Sequence, residues 1–459
     1  MIDTEFIFML IIFLMTVLFV MWRPFGMNEA VPSLIGAFVI ILIGIVPFSD
    51  IFEILRIVSG ASITILSTIV MSLVLESIGF FRWAAYNILN KANDSGITLY
   101  WYTNLLCFTM TLFMNNDGSI LITTPIIFHI VTILKLKRHQ KIPYLLSGAI
   151  TATASSAPIG VSNLANLIAL KIVGLDLNAY AKLMFVPSMI GIFVISVLLF
   201  FYFKQDIPKK FKVYHHISTP FSIDYQTNRK SSGYTVQHPL VHASQQGIDW
   251  SLFRLCIAIV VLVRGSLFAL SPLGIPMELI GIIGAAALIY IRRHKKRTGV
   301  LDIVMKTPWH IFVFAFSMYV IVYGLRNIGL TSILVEMLRD TVSGNLLHAS
   351  LIMGVIISVM SNLFNNLPSV MMGTLIIVDM GLDHQTMQVA YLANVIGSDI
   401  GALLTPMGTL ATLIWMYILR KNGIYISWGL YIKTVLMVIP IGLLVSLLSL
   451  YLWAQWVIF

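Results

Sequence analysis

The polar stretch Phe113-Met114-Asn115-Asn116-Asp117-Gly118 interrupts a long apolar run in the first half of the chain. A matching stretch, Leu363-Phe364-Asn365-Asn366-Leu367-Pro368, interrupts the second half, with its asparagines 250 residues further along. Each is followed by a second interruption, Pro158-Ile159-Gly160 in one half and Pro406-Met407-Gly408 in the other. Paired interruptions of this kind predict an internal repeat whose irregular segments converge on one site.

A third element repeats at the same spacing. Leu75-Glu76-Ser77-Ile78-Gly79-Phe80 aligns with Leu325-Arg326-Asn327-Ile328-Gly329-Leu330, again 250 residues apart. Because three elements fit one alignment, we predict a first transmembrane repeat at 1–203, a linker at 204–250 and a second repeat at 251–459.

Composition indicates a polytopic membrane protein. The 459 residues are 58% hydrophobic and only 10% charged, whereas a soluble domain carries about 25% charged residues. The mean hydropathy is +0.93. Long apolar stretches have the length needed to cross a hydrocarbon layer about 30 Å thick; examples are 6–22, 31–48, 183–203 and 435–459.

The repeats predict an all-α fold with two kinds of interrupted segment. We expect re-entrant hairpins at 98–134 and 348–381, with the asparagine motifs at their tips, and broken helices at 144–172 and 387–419. Each repeat then crosses the bilayer five times, giving about ten spans plus two hairpins. Because five is odd, the second repeat would be inverted relative to the first. Twelve full spans preserve the same parity and remain an alternative.

Charge gives the orientation rather than a nucleic-acid partner. The net charge of +10 comes from Lys and Arg in the connections between apolar segments, mostly on the side that holds 204–250. That side is therefore expected to be cytoplasmic, with both termini outside an inner cell membrane. The linker 204–250 is polar, and we expect it to be poorly ordered. Cys107 and Cys256 offer neither a disulfide framework nor a metal site.

Irregular backbone at membrane depth must line a cavity or lie buried in protein. We therefore expect the two tips and two breaks to meet near the bilayer midplane. Interhelical hydrogen bonding is the alternative role for the asparagines. The predicted substrate-binding residues are Asn115, Asn116, Ser162, Asn163, Asn166, Asn365, Asn366, Thr405 and Thr409. The predicted helix-breaking residues are Gly118, Pro158, Gly160, Pro368, Pro406 and Gly408. An amide and hydroxyl lining suits a small, hydroxylated, uncharged or weakly acidic solute.

Three acids are candidates for proton coupling. Asp117 and Asp399 are placed at the breaks, and an acid near the bilayer centre is costly enough to indicate a function. Glu76 is a weaker candidate, because it lies near the end of its span. Capping of the helix that begins near Ile120, by Asp117 or by Ser119, is the structural alternative for Asp117.

The motifs together resemble those of the arsenical-pump membrane proteins, a family within the ion-transporter superfamily. The resemblance runs nearly from end to end. It is carried by Trp22-Arg23-Pro24-Phe25-Gly26-Met27-Asn28-Glu29-Ala30-Val31-Pro32, Glu76-Ser77-Ile78-Gly79-Phe80-Phe81-Arg82-Trp83, Asn116-Asp117-Gly118, Ser162-Asn163-Leu164-Ala165-Asn166, Asn365-Asn366-Leu367-Pro368, Asp399-Ile400-Gly401 and Thr405-Pro406-Met407-Gly408-Thr409-Leu410-Ala411-Thr412-Leu413-Ile414-Trp415.

The resemblance implies export of arsenite and antimonite driven by the proton gradient, with an arsenite-stimulated ATPase as a partner in some systems. It implies no cofactor. A sodium/proton antiporter, or an exporter of another neutral hydroxylated solute such as silicic acid, remains the alternative transport function. A membrane enzyme is disfavoured, because no span carries paired catalytic carboxylates or a zinc-binding histidine motif.

Overall fold

The computed structural model describes residues 4–211, 249–296 and 299–458. Every regular element within these ranges is a helix, so the predicted all-α class is confirmed. Nine helices in the described part of the chain are long and apolar enough to cross a membrane. The protein is therefore a polytopic membrane protein, as its composition predicts.

The two halves contain helices in closely similar order. The first half comprises α1 (Thr4–Trp22), α2 (Ala30–Ile43), α3 (Phe48–Ser77), α4 (Phe80–Lys91), α5 (Gly96–Phe113), α6 (Asn116–Ile133), α7 (Arg138–Ala154), α8 (Leu164–Val173) and α9 (Leu177–Tyr202). The second comprises α10 (Trp250–Ala269), α11 (Met277–Lys296), α12 (Leu301–Lys306), α13 (His310–Asn327), α14 (Leu330–Val342), α15 (Leu346–Phe364), α16 (Asn366–Asp379), α17 (His384–Asp399), α18 (Leu410–Lys421) and α19 (Trp428–Ile458). In the second half, α12 and α13 together occupy the position that α3 alone occupies in the first half.

The helix expected in the apolar stretch 31–48 is shorter than predicted. Helix α2 ends at Ile43 because Gly44 adopts a left-handed φ of 84°, and α3 begins directly after Pro47. At 1.5 Å per residue the 14 residues of α2 extend about 21 Å. This length is less than the hydrocarbon thickness of about 30 Å, so the prediction of one full-length helix here is wrong.

Both asparagine motifs lie in tight turns between two packed helices. The first turn separates α5 from α6 at Met114 and Asn115, and the second separates α15 from α16 at Asn365. The helical arms have 18 residues each in the first hairpin, and 19 and 14 in the second. The predicted hairpin tips are thus where the sequence places them, while re-entry of their arms stays a prediction.

The predicted broken helices are also interrupted at the Pro-x-Gly motifs. Helices α7 and α8 are separated by a nonhelical segment with one 3-10 turn at Gly160–Ser162. Helices α17 and α18 are separated by two 3-10 turns, Gly401–Leu404 and Pro406–Gly408. Each break therefore exposes the start of a second helix, whose first N–H groups need partners other than its own backbone.

Helices of the two halves pack against each other across the interface in reciprocal pairs. Helix α2 packs against α13 while α11 packs against α3, and α6 packs against α18 while α16 packs against α8. The last helices of the two halves, α9 and α19, pack against each other. Reciprocal packing of this kind is expected of two copies related by a two-fold axis. The inverted orientation of the second copy remains a prediction.

Part of the predicted linker is packed rather than free. Ile207 and Phe211 are buried, and the amide of Phe211 donates to the carbonyl of Asp94 at 2.9 Å. The expectation of poor order is therefore wrong for 204–211, because these apolar side chains close over the connection between α4 and α5. Asp249 caps α10 at the other end. The remaining residues, 212–248, lie outside the described part.

Candidate functional site

The two broken helices meet at a buried carboxylate. Asp399, the last residue of α17, is fully buried. The side-chain amide of Asn163 donates to its Oδ1 at 2.8 Å, and that of Asn166 donates to its Oδ2 at 2.6 Å. Both amides come from the other half of the chain. The structure thus brings three predicted site residues together across the interface between the halves.

The surroundings of Asp399 act on its negative charge in opposite directions. An acid at the C-terminal end of α17 faces the negative end of its own helix dipole, which is unfavourable. Asn163 is the N-cap of α8 and Asn166 lies in its first turn. The N-terminal end of α8 therefore points its partial positive charge toward Asp399. Two amide donors and one helix N-terminus compensate for burying the carboxylate.

Two tyrosines donate hydrogen bonds to backbone carbonyls near this site. The hydroxyl of Tyr391 donates to the backbone carbonyl of Asn166 at 3.2 Å. The hydroxyl of Tyr180 donates to the carbonyl of Ala157, just before Pro158, at 2.5 Å. Their ring centroids lie 6.2 Å apart. A hydroxyl from α9 therefore binds a carbonyl of the first helix break, and a hydroxyl from α17 binds the first turn of α8, so part of the irregular backbone finds partners within the protein.

The second hairpin tip contacts the second helix break. Asn365 donates from its side-chain amide to the carbonyl of Met407 at 3.2 Å, and its own φ is 76°. Asn362, one turn earlier, accepts the amide of Thr405 at 2.7 Å and donates to the carbonyl of Gly401 at 2.8 Å. Tip and break therefore form one hydrogen-bonded unit. Thr409, another predicted site residue, caps α18, because its Oγ1 accepts the amide of Thr412.

The first hairpin tip is held by a buried arginine. Arg264 of α10 is only 6% exposed, and it donates from Nε to the carbonyl of Phe113 at 2.7 Å and from Nη2 to the carbonyl of Met114. Both carbonyls belong to the C-terminal end of α5, where the helix dipole favours a cation. Arg264 therefore fixes the first tip from the opposite half of the chain.

The cap of α6 differs from both alternatives considered for the sequence. Asn115 is the N-cap, and its Oδ1 accepts the amide of Gly118 at 3.1 Å. Asp117 is half-buried in the first turn, and Ser119 donates to the carbonyl of Cys107. The alternative in which Asp117 or Ser119 caps this helix is thus wrong, because the asparagine at the turn already fills that role. The carboxyl of Asp117 remains available for another function.

Several predicted site residues are buried with open hydrogen-bonding capacity. Asn116 Oδ1, Ser162 Oγ and Asn166 Oδ1 have no hydrogen-bond partner among the described residues. Asn116 and Asn366, one from each tip, are 4% and 7% exposed. Neither faces lipid. Buried polar atoms without partners are costly, so each of these atoms calls for a partner such as a ligand or a water molecule.

The helix-breaking residues act in different ways. A Cβ on Gly118 would meet Asn115 Oδ1, and a Cβ on Gly408 would meet the carbonyl of Ala402, whereas Gly160 has ordinary contact distances around it. Pro368 lies in the first turn of α16, where a missing N–H costs nothing. Pro406 starts a 3-10 turn, and Pro158 follows the end of α7.

Glu76 lies apart from the breaks. It is in the last turn of α3, where the charge acting on it is that of Lys306, the last residue of α12. No hydrogen bond or ion pair joins it to the break residues in the described part of the chain. Its coupling role stays a prediction without geometric support.

Sequence reasoning missed a cluster of charged groups around a buried glutamate beside the first tip. Glu29 is 6% exposed and contacts Arg23 at 3.0 Å and His310 at 3.3 Å. Burial raises the pKa of Glu29, but the hydrogen bond with His310 and the charge of Arg23 outweigh burial and lower it below 4.5. The charges of this cluster also act on Asp117. The sequence signal for this cluster is an acid, Glu29, close to a base, Arg23, within the motif at 22–32.

No group of three or more His, Cys, Asp or Glu residues able to hold a metal ion occurs in the described ranges.

A family model described as arsenical pump membrane protein matches residues 8–454. The chain belongs to the arsenical pump membrane protein family. A putative arsenical pump membrane protein of Bacillus subtilis is 49% identical over 447 residues, which are 97% of this chain and 99% of that protein.

Relatives that are more distant also align over nearly their full length. An arsenical pump membrane protein of Escherichia coli is 32% identical over 434 residues, covering 94% of this chain and 95% of the relative. One of Yersinia enterocolitica is 30% identical over 433 residues, with the same coverage. Membership of this family, together with the candidate spans, identifies the chain as a membrane transporter.

Proposed function

We propose that this protein exports arsenite and antimonite across the inner cell membrane in exchange for protons and so confers metalloid resistance. The observation that carries the proposal is the Asp399 carboxylate, bound by Asn163 and Asn166 from the other half. A single acid shared by the two halves is suited to couple a protonation event to their relative movement.

The proposed substrate is the neutral trihydroxide of trivalent arsenic or antimony. Its hydroxyls can each donate and accept hydrogen bonds. The open acceptors Asn116 Oδ1, Ser162 Oγ and Asn166 Oδ1 are the groups we assign to them. Since these groups are neutral, the lining supports a neutral hydroxylated solute over a cation, which would need more carboxylates at the site.

Proton exchange follows from the hydrogen bonds of Asp399. In its ionised form both oxygens accept from the amides, whereas a protonated carboxyl presents one O–H donor toward them. The ionised carboxylate can also accept hydrogen bonds from the hydroxyls of the substrate, and protonation removes part of that capacity. The proton and the substrate therefore compete for Asp399, and protonation also weakens the link between α17 and α8. Moving one proton charge inward is driven by about 2.3 kcal/mol per 100 mV of membrane potential.

Asp117 is the second proposed coupling group. It is half-buried at the first tip, within reach of the charges of Arg23, Glu29 and His310. An arsenite-stimulated ATPase on the cytoplasmic side is an additional partner that we propose for systems encoding one. Proton-driven export by the membrane protein alone is the primary mode.

The test is uptake of radiolabelled arsenite into everted membrane vesicles, with and without an uncoupler, and with and without sodium. We expect uptake that the uncoupler abolishes and sodium does not affect. Asp399→Asn should abolish it while membrane insertion is retained. Asp383→Asn is the matched control, because Asp383 caps the other end of α17 in an exposed position and asparagine also caps helices. Uptake by sodium gradient alone would favour the antiporter alternative.

A further inference from the structure

A basic cleft lies at the ends of α7, α18 and α19, away from the site described above. The cleft has a volume of about 680 Å³, and its lining includes Arg138, His139, Arg420, Ser427 and Trp428. None of its lining residues is acidic in the part of the chain that the structure describes. The cleft therefore concentrates positive charge without an internal counter-ion.

The electrostatics of α7 make this arrangement costly unless an anion is present. Lys137 is the N-cap residue, Arg138 opens the helix, and no acidic residue lies in its first turn. Cations at a helix N-terminus oppose the partial positive charge of the exposed N–H groups. A bound anion would offset both the dipole and the side-chain charges. The same cleft receives Arg420 from the last turn of α18.

One of the arginines is already oriented by the backbone. Arg138 donates from Nη2 to the carbonyl of Tyr425, which lies in the connection between α18 and α19, at 2.8 Å. This bond uses one donor of a guanidinium that has five, so the others remain for a ligand. Tyr425 and Trp428 are 61% and 44% exposed beside it. Exposed aromatic residues next to basic residues are typical of the headgroup level of a membrane.

We propose that this cleft binds a phosphate-bearing anion, with the headgroup of an anionic phospholipid as the principal source. Arg138 and Arg420 contact the phosphate, and Trp428 lies beside the glycerol region. The ligand bridges α7 and α18, which are each one half of a broken helix. Binding there ties α7 to α18, which are joined through the two breaks to α8 and α17, the helices of Asn166 and Asp399, so the anion supports the geometry of the breaks from outside. The proposal does not depend on which solute is transported.

The test measures binding to the full-length protein in detergent micelles. Dioctanoyl phosphatidylglycerol and inorganic phosphate are titrated separately, and bound ligand is counted by native mass spectrometry. Arg420→Gln is tested alone and together with Arg138→Gln, because Arg138 also holds the connection at Tyr425. The control removes two exposed cations elsewhere, as Arg254→Gln with Arg293→Gln. Thermal unfolding midpoints show whether each variant remains folded.

We expect phosphatidylglycerol to bind the wild type and the control alike, and to bind R420Q about fivefold more weakly, with a further loss in the double variant. Inorganic phosphate that binds with the same sensitivity to R420Q would also support the site and would indicate a soluble phosphate as its source. Equal binding of both probes to wild type, R420Q and the double variant would overturn the proposal, whether or not arsenite is transported.

Discussion

Asn166 donates to Oδ2 of Asp399 at 2.6 Å although the two residues are 233 positions apart. The bond joins the first turn of α8 to the last residue of α17, and thus one half of the chain to the other. A charge enclosed in protein at this place is stable only while such donors remain. The contact is therefore both a structural link between the halves and a group whose protonation can change that link.

The first prediction concerns the amides that bind Asp399. Asn166→Ala should lower the free energy of unfolding by about 1–3 kcal/mol, since it leaves a buried carboxylate short of one hydrogen bond. The control is Asn87→Ala, because Asn87 donates only within its own helix, to the carbonyl of Trp83. Thermal or denaturant unfolding in micelles measures both. Equal losses would show that Asp399 does not depend on the amide.

The second prediction concerns Arg264. Arg264→Gln should destabilise the protein by about 1.5–3 kcal/mol and reduce the rate of arsenite uptake, because the carbonyls of Phe113 and Met114 lose a charged donor. Arg264→Lys should be intermediate, since lysine keeps the charge without the planar fork. Arg254→Gln, three turns earlier on the exposed side of α10, should be nearly silent. An inert R264Q would show that the tip is positioned without it.

The third prediction is a pH dependence at Glu29. Its pKa is lowered below 4.5 in the folded protein, so its ionised form stabilises the fold above that pH and the benefit is lost as pH falls through the lower, folded value. Glu29→Gln should therefore be less stable than the wild type by about 1.5–3 kcal/mol near pH 7. The difference should shrink below about pH 4. Unfolding curves at both pH values measure it; a gap independent of pH would contradict the ion cluster.

The fourth prediction separates backbone strain from hydrogen bonding at the second tip. Asn365 has φ 76° and ψ 156°, a backbone conformation nearly confined to glycine, which costs a residue with a Cβ about 1–3 kcal/mol. Asn365→Ala should lose the bond to Met407 and keep the backbone strain, because alanine also has a Cβ. Asn365→Gly should lose the same bond but relieve the strain, so it should be more stable than N365A. The free energies of unfolding of the two variants test this prediction. A higher stability of N365A than of N365G would show that the backbone at position 365 is not strained.

The sequence predicted the helix breaks and tips well because glycine, proline and asparagine act through local backbone geometry. Proline in a break and asparagine at a turn leave a signal wherever they occur, as at Pro406 and Asn365. The pairing of Asp399 with Asn163 could not be predicted, because it depends on how the two halves pack against each other. The same holds for Arg264, whose partners are backbone carbonyls that carry no residue-specific signal.

The lengths of elements were harder to predict than their positions. Helix α2 is shorter than its apolar stretch because Gly44 ends it, although hydropathy alone continues to Phe48. Residues 204–211 were assigned to a polar linker, yet two apolar side chains among them are enough to pack the segment against the connection after α4. Average composition hides such single contacts.

Proton release on substrate binding tests most directly whether Asp399 exchanges a proton for substrate. Purified protein in lightly buffered detergent solution is mixed with arsenite, and the change in pH is recorded together with equilibrium binding of radiolabelled arsenite. We expect binding to release protons from the wild type and from Asp383→Asn, and to release few or none from Asp399→Asn. The same release from Asp399→Asn as from the wild type would contradict the assignment of Asp399 as the group that exchanges a proton for substrate.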